Sequence, residues 1–261
     1  MPQDTTAVSV QQAAGTPAMT PDTARVTNNA EASAASWERC WDDHLRASRE
    51  RKDLLAMQML APLSSTYLPW TVSAMRPSGV VVVLNEIAVN GRQSIVELGS
   101  GVSTFYIGRL LQRLGGRLWT MEHDERWADQ VDQELRRQAL DDVVTVIRAP
   151  LTPSSPGWPG EDGKWYERGK LTETIAGGPV DLLLVDGPPA YLAGREHSRY
   201  PAVPFFAPML ADDYAIILDD ASRQGEQDIM ERWERQLSIT FERRLINGGI
   251  GIGRSRPAFT V

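Results

Sequence analysis

At 261 residues and 42% hydrophobic side chains, the chain suits one α/β domain with an appended segment and can bury a full core. A net charge of −7 without a clustered basic stripe gives no electrostatic reason to expect a nucleic acid partner. Cys40 is the sole cysteine, which excludes an internal disulfide or a cysteine-built zinc site, and points to a reducing cytoplasm with Cys40 as a buried thiol.

Residues 1–34 are rich in Ala, Thr, Gln, Ser and Pro, with few large apolar side chains to offset the entropy of ordering, so a mobile tail is expected. The tail has neither the basic start nor the apolar run of a signal peptide. Nowhere does the chain hold an apolar stretch of roughly 18 residues, so no membrane is expected. A helical extension is expected over 35–92. Ser36 is placed to cap a helix carrying Trp37, Cys40, Trp41 and Leu45 at three- and four-residue spacing, continuing through Leu54, Leu55 and Met57 until Pro62 to Pro69 break it. The Val80 to Leu84 run is β-branched enough for a strand. A helix through Ile87 and Val89 is preferred, because a strand there would need its own place in the sheet.

Ser94 to Thr104 reads as a buried strand running into a glycine turn. Phe105, Ile107, Leu110, Leu111 and Leu114 then recur at helical spacing until Gly115-Gly116. Strand, Gly-rich loop and helix make the nucleotide-binding end of a doubly wound sheet, with Gly99 and Gly101 admitting a ligand to the backbone. A dinucleotide fingerprint would want glycine at Thr104, and a phosphate-binding loop would want Gly-Lys-Ser/Thr, which is absent. Glu97 would set a carboxylate beside the ligand, unfavourable next to pyrophosphate and favourable next to a sulfonium, which points toward S-adenosylmethionine. An ordinary glycine turn would look the same on the loop alone.

Gly116 to Glu122 reads as a second strand ending in a carboxylate, with His123 beside it. The distance from Gly99 is close to the roughly 20 residues that separate a glycine loop from an acid on a ribose diol. Asp124 is placed to cap a helix whose inner face is Trp127, Ala128, Val131 and Leu135. A third strand follows at Val143 to Ile147. The long connection from Ala149 to Gly169 carries Trp158, Trp165 and Tyr166, and is either a substrate lid or a surface loop pinned by its aromatics. Val180 to Asp186 is a fourth strand, apolar almost throughout as a sheet covered on both faces requires. Tyr214 to Leu218 is a fifth, ending in Asp219-Asp220 and followed by a helix through Ile229, Met230, Trp233 and Leu237. Ile239 to Leu245, Asn247-Gly248-Gly249 and Ile250 to Gly253 form a closing hairpin.

From Ser94 onward the chain resembles the class I S-adenosylmethionine-dependent methyltransferases. Glu97-Leu-Gly-Ser-Gly, Glu122, Asp186 and the terminal hairpin carry the resemblance. It implies a catalytic domain over 93–261 with a Rossmann-like α/β fold: seven strands, mostly parallel, a C-terminal antiparallel hairpin and helices on both faces. It implies cofactor contacts at Glu97, Gly99, Ser100, Gly101, Ser103, Thr104, Glu122, His123 and Asp186. Ser103 stands where the family often has a third glycine. Spermidine-synthase-like aminopropyl transferases share the fold, so the resemblance alone does not fix the transferred group.

Within the family, Asp186 with Asp219 and Asp220 resembles the metal site of catechol and macrocin O-methyltransferases. This implies Mg2+, or another divalent ion, that lowers the pKa of a hydroxyl on a small diol, catechol or sugar-like acceptor. Alternatively Asp219 or Asp220 caps the following helix. The catechol-type lysine base has no counterpart: its position is Pro189, and lysine occurs only at Lys52, Lys164 and Lys170. The base is then His197 or Asp186. Two alternatives remain, a metal-independent N- or O-methyltransferase and a non-catalytic nucleoside-binding or interaction module; a homodimer is compatible with the sequence.

Overall fold

The structure, a computed structural model, describes residues 21–64, 66–154, 157–161, 163–175, 178–246 and 248–259. The chain divides into two compact units, Met1–Arg46 and Ala47–Val261, a boundary inside the expected 35–92 extension. Residues 1–20 of the expected tail lie outside the described residues.

The first helix, α1 (Pro21–Leu60), begins well before the Ser36 expected as its cap. Pro21 suits a first helical position, and no glycine or further proline interrupts the segment before Pro62. Cys40 is exposed, not buried as expected, and the neighbouring Trp37 and Trp41 are exposed with it.

The Val80 to Leu84 run is helical, as preferred over a strand. It lies in α2 (Pro77–Asn90), which starts on Pro77 and ends at Gly91 in the left-handed region, φ 68°. Then follow β1 (Ser94–Leu98), α3 (Val102–Leu114), β2 (Arg117–Glu122), α4 (Glu125–Arg137) and β3 (Val144–Arg148). The 149–169 connection is more than a loop, for it contains β4 (Leu151–Pro153) paired antiparallel with β5 (Lys164–Tyr166). After it come α5 (Arg168–Thr174), β6 (Val180–Val185), α6 (Ala202–Phe206), β7 (Leu210–Leu218), α7 (Gln224–Leu237), β8 (Phe241–Arg244) and β9 (Ile250–Arg254).

The main sheet has seven strands in the order β3-β2-β1-β6-β7-β9-β8. The first five are parallel and β9 runs antiparallel to both its neighbours. Alternation along the central strands feeds two cores. Leu182, Leu184, Ala215 and Ile217 join Val83, Ile107 and Leu135 of α2, α3 and α4 on one face. Leu183, Val185, Ile216 and Leu218 join Leu171, Phe206, Ile229 and Trp233 of α5, α6 and α7 on the other. A period of two on strands buried on both faces leaves nearly every position apolar, hence the Val-Asp-Leu-Leu-Leu-Val run of β6, whose one polar residue, Asp181, accepts the N–H groups of Gln93 and Ser94. The chain leaves β1 toward one face and β6 toward the other, so a crevice opens at their shared carboxyl rim, where open α/β sheets bind ligands.

Candidate active site

A cavity of about 940 Å3 lies at this rim, at the upper end of the volumes typical of ligand pockets and roomy enough for a nucleoside cofactor plus a small acceptor. Its inner wall takes Gly99 to Ser103, then Glu122 to Asp124 with Trp127, then Asp186, Gly187 and Pro189, and finally Asp219 and Asp220. The outer wall is built by 71–76, Tyr191, Arg223 and the Gly248-Gly249 turn.

Gly99 and Gly101 serve different purposes. Gly99 sits at φ +95°, and a Cβ there would come 3.2 Å from the Asp186 carbonyl, so this glycine lets the loops after β1 and β6 approach. At Gly101 a Cβ would meet no protein atom within 4 Å, yet the residue lines the cavity. The space a side chain would fill is the cradle itself, at the start of α3.

Glu97 was expected beside the ligand. Instead it is fully enclosed under the loop and is not part of the cavity wall. Its carboxyl oxygens accept from Ser103 Oγ at 2.6 Å, Thr104 Oγ1 at 2.5 Å and Thr120 Oγ1 at 2.7 Å. Thr104 Oγ1 also accepts the Gly101 N–H at 3.0 Å. This explains Ser103 and Thr104 where glycine would be ordinary: the hydroxyls satisfy a buried acid and fix the loop. Thr104, like Glu97, therefore supports the cradle from below. Burial pushes Glu97 up to about 7 against the pull of these donors.

Glu122 is where the spacing placed it, at the end of β2 and on the cavity wall. One oxygen accepts the N–H groups of His123 and Asp124 at 2.8 Å each, and the other accepts Ser100 Oγ at 2.7 Å. Burial alone would raise its pKa, but the bonds from His123, Asp124 and Ser100 hold it below the ordinary value, so an ionised carboxylate stands on the cavity wall. His123 is held against it at 3.1 Å, and this bond raises the imidazole's pKa. Asp124 caps α4 as expected, accepting from Trp127 N at 2.8 Å, and Trp127 Nε1 donates to the Ser100 carbonyl at 2.9 Å.

Tyr166 was noted only as a lid aromatic. It is buried, its hydroxyl has no partner among the described residues, and it lines the cavity with its ring edge-on to His123, centroids 6.5 Å apart. A buried donor aimed into a cavity is a place for a ligand atom. Sequence carries no sign of which way that hydroxyl points.

His197 is not a base for this cavity. It lies outside the cavity wall, and both ring nitrogens face carboxylates, Nδ1 toward Glu161 and Nε2 toward Asp228 at 3.1 Å. With both nitrogens turned to carboxylates, neither is presented to the cavity.

Asp186, Asp219 and Asp220 do converge, with one carboxylate oxygen of each within 4.8 Å of the others. Neither of the last two caps α7, whose N-cap residue is Arg223 with no side-chain cap bond. Asp220 adopts φ +59°, a left-handed conformation uncommon outside glycine. Burial, then the charge of Asp219, holds Asp186 well above the usual carboxylate range; burial, then Asp220, brings Asp219 to about 6. The acids already surround a cation. The buried Arg199 places Nη2 3.1 Å from Asp220 and 3.4 Å from Asp186. A hard dication wants those same oxygens free and no positive charge at its side, so the donor set as arranged does not fit Mg2+. Sequence reasoning missed Arg199 because an arginine after a Gly-Pro-Pro turn looks like surface charge.

The segment 96–221 matches a family described as a methyltransferase domain. No curated protein matches the chain. Among solved structures, a methyltransferase from Pyrococcus furiosus is similar at 12% identity and TM-score 0.51, covering 80% of this chain and 98% of that one. A putative caffeoyl-CoA O-methyltransferase from Staphylococcus aureus is similar at 13% identity and TM-score 0.50, covering 76% and 90%. At such identities these likenesses establish the fold. The family match spans β1 to the rim of β7, the stretch that supplies the glycine cradle, Glu122 and Asp186, and over it the chain is similar to methyltransferase domains.

Proposed function

We propose that the domain transfers the methyl group of S-adenosylmethionine to a hydroxyl oxygen of a small molecule, with Asp186 as proton acceptor. The position of Asp186 carries this reading. It follows β6 on the cavity wall, with its backbone against Gly99 of the glycine loop, at the carboxyl rim where open α/β sheets bind ligands. In the step, the acceptor O–H gives its proton to the Asp186 carboxylate while the oxygen takes the methyl carbon. The C–S bond breaks in line, and its electron pair stays on sulfur as S-adenosylhomocysteine leaves. Most of the acceleration comes from holding oxygen and methyl in near-attack geometry, worth roughly 7–11 kcal/mol.

The outer wall supports a small, partly apolar acceptor, since Val72, Met75 and Tyr191 stand beside Arg76 and Arg223 there. A second reading, a divalent ion that binds a diol, catechol or sugar-like acceptor at Asp186, Asp219 and Asp220, has their spacing within 4.8 Å for it and the guanidinium of Arg199 against it. The test is methyl-labelled S-adenosylmethionine offered with a panel of phenols, catechols, sugars and amines, with products identified by mass spectrometry in EDTA and in Mg2+. Methylated oxygen in EDTA, with kcat lowered about 10²–10⁴-fold in Asp186→Asn, is the expected result. Methylated amines only would overturn the oxygen acceptor, and turnover abolished by EDTA would favour the second reading.

A further inference from the structure

We infer that Arg199 is a resident cation built into the carboxylate cluster, filling the place of a divalent ion and fixing the acids of the active-site rim. The inference deepens the reading of Asp186 as base and rests on it for the role of the cluster.

Arg199 is held by more than charge. Its Nη1 donates to the Asp219 carbonyl at 3.0 Å, Nη2 to the Asp186 carbonyl at 3.0 Å and Nε to the Pro188 carbonyl at 3.4 Å. The guanidinium is therefore tied to the backbone at the ends of both β6 and β7, while Nη2 also reaches the side chains of Asp186 and Asp220. On its far side, Nη1 lies 3.6 Å from the buried Glu226 of α7. A planar fork of five N–H donors suits such a set, where a point charge would not.

A divalent ion entering the cluster would have to expel this side chain or sit against it. Expulsion leaves three buried or half-buried carbonyls without their donor and Glu226 without the nearer of its two cations. Coexistence sets like charges side by side at the same oxygens. Arg223 adds a second guanidinium, 2.8 Å from Asp220. Three carboxyls, Asp186, Asp220 and Glu226, thus share two arginines without an ion, and Asp219 is tied to Arg199 through its backbone carbonyl. Arg199 itself lines the cavity and is assigned as a positioning residue, acting through Asp186, whose side chain it reaches.

Mn2+ titration of the full-length protein, followed by electron paramagnetic resonance of the free ion, tests this without any acceptor or turnover. The parent is expected to show no saturable site, and Arg199→Lys none either. Arg199→Ala is expected to gain a saturable Mn2+ site, because the carboxylates lose their internal cation, and Asp219→Asn added to it should remove the gain. A folded Arg199→Ala that gains no site would overturn the inference. Should that variant not fold by circular dichroism, the parent decides alone. Saturable Mn2+ binding that Asp219→Asn abolishes overturns the proposal, and its absence upholds it. Methyl transfer to oxygen stands or falls separately, in the acceptor panel.

Discussion

The indole of Trp158 lies flat on the imidazole of His197, ring centroids 3.8 Å apart and planes 2° from parallel. With Nδ1 facing Glu161 and Nε2 facing Asp228 of α7, His197 fastens the 149–169 connection to the helix that follows the acidic rim. An aromatic pair of this kind is worth about 0.5–1.5 kcal/mol beyond the area it buries. His197→Ala should therefore speed limited proteolysis within 154–163 while turnover stays within about threefold. A general base removed would instead lower kcat about 100-fold or more, a result that would return His197 to the chemistry.

Glu122→Ala should weaken S-adenosylhomocysteine binding about 10- to 150-fold, from a loss of about 1.5–3 kcal/mol for one hydrogen bond to a charged group. Part of the effect is indirect, since Ser100 loses the carboxylate that anchors it at 2.7 Å. Titration calorimetry reads the difference. Parental affinity would place the ribose elsewhere.

Gly101→Val separates fold from binding. The backbone there is extended, φ −168°, a conformation open to any residue, and a Cβ meets no protein atom. The variant should keep the parental circular dichroism spectrum and lose measurable cofactor affinity. A folded variant with unchanged affinity would show that the cradle lies away from this loop.

Glu97 gives a pH dependence of stability with a definite sign. Its carboxyl titrates at about 7 folded, chiefly through burial, against 4.5 as a free side chain. Between these values the folded state holds the extra proton. Its contribution is therefore complete below 4.5 and is lost as pH rises to about 7, on the order of 3 kcal/mol. Urea unfolding from about pH 5 to about pH 8 should show this decline, and Glu97→Gln should flatten it. An identical slope in the variant would assign the decline to other groups.

The sheet was legible because each strand announces itself. Glycine turns bracket β1, and β6 is apolar at every position but Asp181 because both its faces are covered. Spacing also located Glu122 and the convergence of Asp186 with Asp219 and Asp220, since parallel strands deliver their ends to one rim. What local pattern could not show was how buried groups are partnered. Glu97 was assigned to the ligand because it precedes a glycine, yet it spends its oxygens on Ser103, Thr104 and Thr120. Arg199 lies far along the chain from Asp219 and Asp220, and a charged residue in a loop carries no mark of burial. His197 failed as a base for the same reason, because its partners Glu161 and Asp228 lie far from it in sequence. The start of α1 was missed because composition reports what a segment can bury, and a helix needs only an uninterrupted backbone.

The placing of β9 between β7 and β8 bears on how the protein comes to exist. During synthesis β7 emerges first, and its outer edge stays without a partner until residues 250–254 insert beside it. That strand carries Ala215, Ile216, Ile217 and Leu218, so for the interval it is an open apolar template able to pair with any neighbouring chain. The Ala221 N–H, just past Asp219 and Asp220, waits for the Gly249 carbonyl to reach 2.6 Å. A ribosome stalled short of β9 would thus hold a chain that has every acid of the rim and no finished rim, and that is far more prone to aggregate than the completed protein.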